Sequence, residues 1–106
     1  METKKILLCC GAGMSSGFLA QKTRQAAKKE GISVSVEARS IADIASYMSS
    51  IDVLMIGPHY GNELEKFENM ASPYNVPVVV IPQVVYSQLR GDELLKLALE
   101  TINDAK

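Results

Sequence analysis

The segment Cys10-Gly11-Ala12-Gly13-Met14-Ser15-Ser16-Gly17 sets a thiol ahead of a run of small residues, at the end of an apolar stretch. Glycines let successive backbone N–H groups turn toward one point. A helix that starts where such a loop ends adds its unpaired amino-end donors and a partial positive charge. Together they can hold a dianionic phosphoryl group without a cationic side chain, and the same field favours thiolate over thiol at Cys10.

Three better-known glycine loops do not fit. A nucleotide P-loop needs Gly-Lys-Ser/Thr, whereas Phe18 follows Gly17. The dinucleotide fingerprint would use Gly11 and Gly13, but its third position falls on Ser16 and the chain is too short for the usual doubly wound sheet. The tyrosine-phosphatase loop runs Cys, five residues, Arg, and here Ser16 stands where that Arg would clamp the phosphoryl oxygens. The loop also lacks an Asp or Glu to serve as acid for a leaving group. Nucleophile and cradle are present and the parts that favour hydrolysis are not, which is the composition of a thiol carrier of phosphate. A relay must release its cargo, so a cradle without Arg suits it.

The elements around this loop read as follows. Lys5 to Cys10 is a short apolar run without alternation, suited to a strand covered on both faces, and Gly11 stops it. Ser15 to Glu30 predicts a helix with Phe18, Leu19, Thr23, Ala26 and Ala27 near one stripe and Gly31 as its stop. Ile32 to Glu37 alternates like an edge strand with one drier face. Ser40 with Asp43 resembles a capping box opening a second helix, with Ile41, Ile44, Ala45 and Met48 on its apolar side.

Val53 to Gly57 predicts a third strand, followed by a loop over 57–61 and a helix carrying Leu64, Phe67 and Ala71 until Ser72-Pro73. Val78 to Ile81 is the fourth strand. The last helix has Asp92 as its cap and Leu94, Leu95, Ala98 and Ile102 inward, while the 83–91 stretch reads equally as short helix or packed loop. The expected fold is α/β: one domain over residues 1–106, with a small four-stranded parallel open sheet of order 2-1-3-4 and helices on both faces. The order places one switch point between strands one and three, with Cys10 at the crevice beyond their carboxyl ends.

Composition narrows the function classes. The chain has 106 residues, and its 11 Lys plus Arg against 12 Asp plus Glu give no electrostatic reason to expect nucleic acid or an anionic membrane. The longest apolar runs fall well short of the roughly 18 residues a membrane span needs, so no direct membrane insertion is expected. Adjacent Cys9 and Cys10 exclude a disulfide framework and lack the spacing of a zinc or C-x-x-C site, which fits a reducing, cytoplasmic setting. No cofactor is called for, and no metal, since the single histidine has no co-ligands at useful spacing.

Cys9 is expected to pack. A lone loop histidine such as His59 is more often solvated or hydrogen-bonded than catalytic, although His59 or Tyr60 could shape a docking surface. Met14 reads equally as a partner contact or a seal of the loop against the core. Lys22, Arg24, Lys28 and Lys29 read as a solvated helix face. Tyr47, Tyr60, Tyr74 and Tyr86 fit no stripe.

The run Ile6-Leu7-Leu8-Cys9-Cys10-Gly11-Ala12-Gly13-Met14-Ser15-Ser16 resembles the amino-terminal motif of the lactose/cellobiose/chitobiose-type enzyme IIB of the bacterial sugar phosphotransferase system. That motif is an apolar strand ending in Cys, a small residue, Ala-Gly-Met-Ser and a small hydroxylated residue. The resemblance extends to size and element order, with departures at Ser16 and Gly17. It implies that Cys10 takes a phosphoryl group from phosphohistidine on a phosphorylated IIA protein and passes it to a sugar held by the membrane IIC permease. Gly11, Ala12, Gly13, Met14, Ser15 and Ser16 would then be the phosphate cradle, and the carrier a monomer. A small Cys-dependent phosphatase or arsenate reductase, and a non-catalytic phosphate or nucleotide sensor, are the competing readings.

Overall fold

Two apolar runs form the middle of the sheet because neither has a polar face to give to water. In the computed structural model, which describes residues 3–9 and 14–104, β1 (Lys4–Cys9) and β3 (Val53–Ile56) lie side by side. Ile6 to Cys9 and Val53 to Ile56 are all at most 1% exposed. β2 (Val34–Arg39) pairs with the other side of β1, and β4 (Val78–Val80) with the other side of β3. All pairings are parallel, in the order β2-β1-β3-β4. The expected architecture is the observed one.

β2 begins two residues later than its alternation suggested and runs on to Arg39, with only Val36 fully buried, as befits an edge. Its outer side is partly covered: the Arg24 Nε of α1 (Met14–Glu30) donates to the Val36 carbonyl at 2.7 Å. That bond occupies an acceptor that an open sheet edge would otherwise present.

Crossovers of one hand send helices to opposite faces when the chain changes direction along the sheet. On one face, α1 and α5 (Gly91–Asp104) cover Ile6, Leu8, Val36, Val53 and Met55. On the other, α2 (Ile41–Ile44), the 3₁₀ helix Ala45–Ser50 and α3 (Leu64–Ala71) cover Leu7, Cys9, Leu54 and Ile56 through Ile44, Met48, Phe67 and Ala71. The alternating side chains of one strand thus supply two cores.

Gly31 ends α1 as expected, at φ 70°, with the Ile32 amide returning to the Ala27 carbonyl at 2.9 Å and the Gly31 amide to Lys28 at 3.2 Å. This is the pattern of a glycine-closed helix end. Bulkier residues make the same left-handed turn elsewhere. Leu89, at φ 52°, lets the Arg90 amide reach the Val85 carbonyl at 3.0 Å behind the short α4 (Gln83–Ser87) while its side chain packs on the core. The ambiguous 83–91 stretch is therefore a five-residue helix with a packed exit.

Several local expectations are corrected. Phe18 is 57% exposed, because the buried row of α1 is Leu19, Ala20, Thr23 and Ala27. The Ser40 hydroxyl donates to the Asp43 carboxylate at 3.1 Å instead of capping an amide, since Asp is too short to complete the reciprocal box. Ala45 faces solvent, since the chain tightens there from α to 3₁₀ geometry, and the side chain of Ile41 lies outside the described residues. Residues 58–63 form a 3₁₀ helix instead of a loop, and Ser72-Pro73 continues α3 as one more 3₁₀ turn before Asn75 turns left-handed. Asp92 lies inside the first turn of α5 and not at its cap, because the Leu94 amide bonds the Arg90 carbonyl at 3.0 Å and so starts the helix earlier.

α5 crosses α1 at Gly91, where a Cβ would come within 2.3–2.5 Å of the Lys22 carbonyl group and the Thr23 amide. Thr23, fully buried there, donates its hydroxyl to the Leu19 carbonyl at 2.8 Å and leaves no polar atom unpaired. Gly17, by contrast, has nothing among the described residues within 4 Å of a Cβ. Gly17→Ala is therefore expected to stabilise the chain by about 0.5 kcal/mol through helix propensity. Urea unfolding that shows a lower midpoint would contradict this.

Candidate functional site

The carboxyl ends of β1 and β3 are laced together. The Gly57 amide donates to the Cys9 carbonyl at 3.0 Å, and on the next strand the Ile81 amide donates to the Ile56 carbonyl at 2.8 Å. From β1 the chain leaves toward β2, and from β3 toward β4, so the two paths diverge and open a crevice between them. In open α/β sheets this is where ligands bind. Cys9 ends β1 and Met14 starts α1, so the sequence assigns four residues to the connection at this crevice.

Cys10, Gly11, Ala12 and Gly13 lie outside the described residues. Met14, Ser15 and Ser16 form the opening turn of α1, and their side chains are likewise outside the description. That turn, which holds no acidic residue, opens a 17-residue helix. The first amides of such a helix have no intrahelical acceptor, and nothing in the turn neutralises the positive end of its dipole.

Cys9 is fully buried against α2 and α3, so its sulfur is closed to a partner protein and the expectation that it packs holds. Tyr60 leans inward, edge-on to Phe67 with ring centroids 5.8 Å apart, which accounts for one tyrosine without a stripe. The side chain of His59 is outside the described residues.

Sequence reasoning passed over Arg39, which the sheet register sets directly beside Cys9. Its Nε donates to the Tyr47 hydroxyl at 2.8 Å and its terminal nitrogens to the Ala38 carbonyl and, at 3.3 Å, to the Glu37 carboxylate. The hydrogen bond to Tyr47 raises the guanidinium pKa and Glu37 adds to that, against a smaller opposing effect of burial. Arg90 is similarly occupied by Gln88 and Glu93. Among the described residues at or beyond the carboxyl ends of β2, β3 and β4, before the next strand or α5, the arginines and lysines are these two and Lys66, whose amino group lies 3.9 Å from the Glu63 carboxylate. Each guanidinium group is thus held by partners on its own segment or, for Arg39, by Tyr47. The sequence pattern ended this strand at Glu37, so the place of Arg39 beside Cys9 comes from the observed register.

A parallel open sheet whose first strand ends at the switch point, with a helix beginning after four intervening residues, defines a small α/β domain. The sequence from residue 5 to 97 matches the family described as "PTS system, Lactose/Cellobiose specific IIB subunit", and the chain belongs to that family. It is 33% identical to the PTS system galactose-specific EIIB component of Lactococcus lactis subsp. cremoris, over 97% of this chain and 100% of that protein. It is also 33% identical, with the same coverage, to the PTS system cellobiose-specific EIIB component of Lactococcus lactis subsp. lactis. The solution structure of the cellobiose-specific phosphotransferase IIB component from Borrelia burgdorferi matches with a TM-score of 0.82 at 28% identity, covering 99% of this chain and 96% of that one. No helix among the described residues is long and apolar enough to cross a membrane.

Proposed function

We propose that this IIB chain, acting as a single domain over residues 1–106, carries phosphate on Cys10. The Cys10 thiolate attacks the phosphorus of a phosphohistidine on a IIA protein, the S–P bond forming as the N–P bond breaks and the imidazole leaving. A sugar hydroxyl held by the IIC permease then attacks the same phosphorus, forming the O–P bond and releasing the thiolate. The two steps are successive nucleophilic displacements with a covalent intermediate.

The observation that carries the reading is the position of the connection after β1, at the switch-point crevice and immediately before the helix amino end. The cradle would consist of the amides and hydroxyls of Gly11, Ala12, Gly13, Met14, Ser15 and Ser16. Catalysis would then be positioning plus backbone electrostatics. The protein works in the cytoplasm as a monomer, because one face must meet two partners in turn. The sugar is of the β-glucoside, cellobiose, chitobiose or lactose kind, and equal identity to galactose- and cellobiose-specific relatives favours neither.

The test is reconstitution. The protein, the phosphorylated general components, a IIA protein and IIC-containing membranes are incubated with candidate sugars. Sugar phosphate should form only when this chain is present, and its formation without the chain would overturn the proposal. A phosphatase would instead release inorganic phosphate from a generic aryl phosphate.

The missing arginine gives a further expectation. Ser16→Arg adds a clamp on the phosphoryl oxygens, so it should raise hydrolysis of the phosphorylated protein or leave phosphocysteine stalled, and sugar phosphorylation should fall about tenfold or more. Unchanged transfer with unchanged hydrolysis would contradict the account of the cradle.

A further inference from the structure

A buried core residue precedes or follows each of two side chains that the core does not use. Leu19 and Val85 are 0% and 5% exposed, whereas their neighbours Phe18 and Val84 are 57% and 44% exposed. Phe18 heads a row of α1 that continues as Lys22, Gln25 and Lys29, all exposed, so helix geometry turns it outward with the polar face. Both residues sit on elements that leave the carboxyl edge of the sheet. Phe18 lies in the opening turns of α1, about 6 Å along the helix from Met14. Val84 is in α4, which follows β4 after two residues and touches α1. The remaining exposed large hydrophobic side chain among the described residues, Tyr74, precedes β4 at the opposite edge.

We infer that Phe18 and Val84 are the apolar anchors on which the phosphohistidine-bearing donor protein seats; the inference rests on the relay proposed above. A standard protein interface buries about 800 Å² per partner, a disc of roughly 16 Å radius. A protein that delivers a histidine to the β1–α1 connection therefore covers the first turns of α1. Aromatic and aliphatic side chains that are solvated alone and covered in the complex are the kind that carry most of an interface's affinity. The donor is the occupant because of the chemistry of its half-reaction: phosphohistidine is a side chain, so this step requires a protein surface at the loop. In the acceptor step the group that reaches the phosphorus is a sugar hydroxyl, presented by the permease that meets this face in turn.

The test uses Phe18→Ser, Val84→Ser and the double variant, with phosphorylation of the chain followed as a function of donor concentration. The double variant should raise KM for the phosphorylated donor about tenfold with kcat little changed, an effect of the size expected for losing interface anchors. Phosphorylation by phosphoramidate, a small mimic of phosphohistidine, should be unaffected, and so should the melting curve. An unchanged KM overturns the inference, as does an equal loss with phosphoramidate, which would mean damage to the loop. Unaltered donor kinetics with slowed transfer to sugar would assign the face to the permease and overturn it too. If the unaltered chain is phosphorylated by neither reagent, the relay itself fails and the docking face with it.

Discussion

Cys10→Ala is expected to abolish phosphoryl transfer through this chain, by at least about a thousandfold, because removal of the nucleophile leaves no atom to carry the phosphoryl group between partners. The neighbouring cysteine supplies the control. Cys9 is fully buried on the α2–α3 face of the sheet, beyond the reach of a donor. Cys9→Ala should cost about 1–2 kcal/mol of stability through the space it leaves and retain phosphorylation. The pair separates a chemical role from a packing role at adjacent positions of the same residue type. Sugar phosphorylation measured with both variants at matched folded fractions checks it. Transfer that survives Cys10→Ala would refute the relay and favour a non-catalytic phosphate-binding module.

The second large effect is on folding. Gly91→Ala is expected to destabilise the chain by about 3 kcal/mol, at the upper end of the usual cost of overpacking. The added methyl would lie 2.3 Å from the Lys22 carbonyl carbon and 2.5 Å from both the Lys22 oxygen and the Thr23 nitrogen. These are backbone atoms in the middle of α1, so no change of rotamer relieves the contact and the two helices must move apart. Their separation would loosen Leu94, Leu95 and Ala98 against Leu19, Ala20 and Ala27 in the same core. For a domain of this size the loss corresponds to a fall in Tm of about 15 °C. Gly61→Ala, where nothing among the described residues lies within 4 Å, should leave Tm close to that of the parent. A Gly91→Ala protein that melts with the parent would show that the helices do not cross there.

The sheet was legible because burial leaves a plain trace in strands. Ile6 to Cys9 and Val53 to Ile56 have no polar alternation and are covered on both faces, whereas Ser35 and Glu37 interrupt the edge strand. Those differences are enough to derive the order 2-1-3-4. Gly31 was legible for the same local reason, a left-handed position that glycine adopts without strain. What resisted reading was decided by contacts distant in sequence or by bulky residues in uncommon conformations. Leu89 ends α4 left-handed because its side chain gains core packing, a compensation that no local pattern announces. Phe18 was assigned inward on hydrophobicity alone, although Lys22, Gln25 and Lys29 on its own row mark an outward face. Of the site, the sequence supplied the residue types, and the sheet supplied the location at which their loop must begin and end. Arg39 became visible only once the register set it beside Cys9.

The central claim is a covalent bond between phosphorus and one sulfur, and locating the phosphate tests it most directly. The chain is phosphorylated from an isotopically labelled donor through IIA, digested without acid, and its peptides are sequenced by mass spectrometry. The account predicts the label on Cys10, discharged when IIC and sugar are added. Label on His59 or on any residue other than Cys10, discharged with the same kinetics, would contradict it.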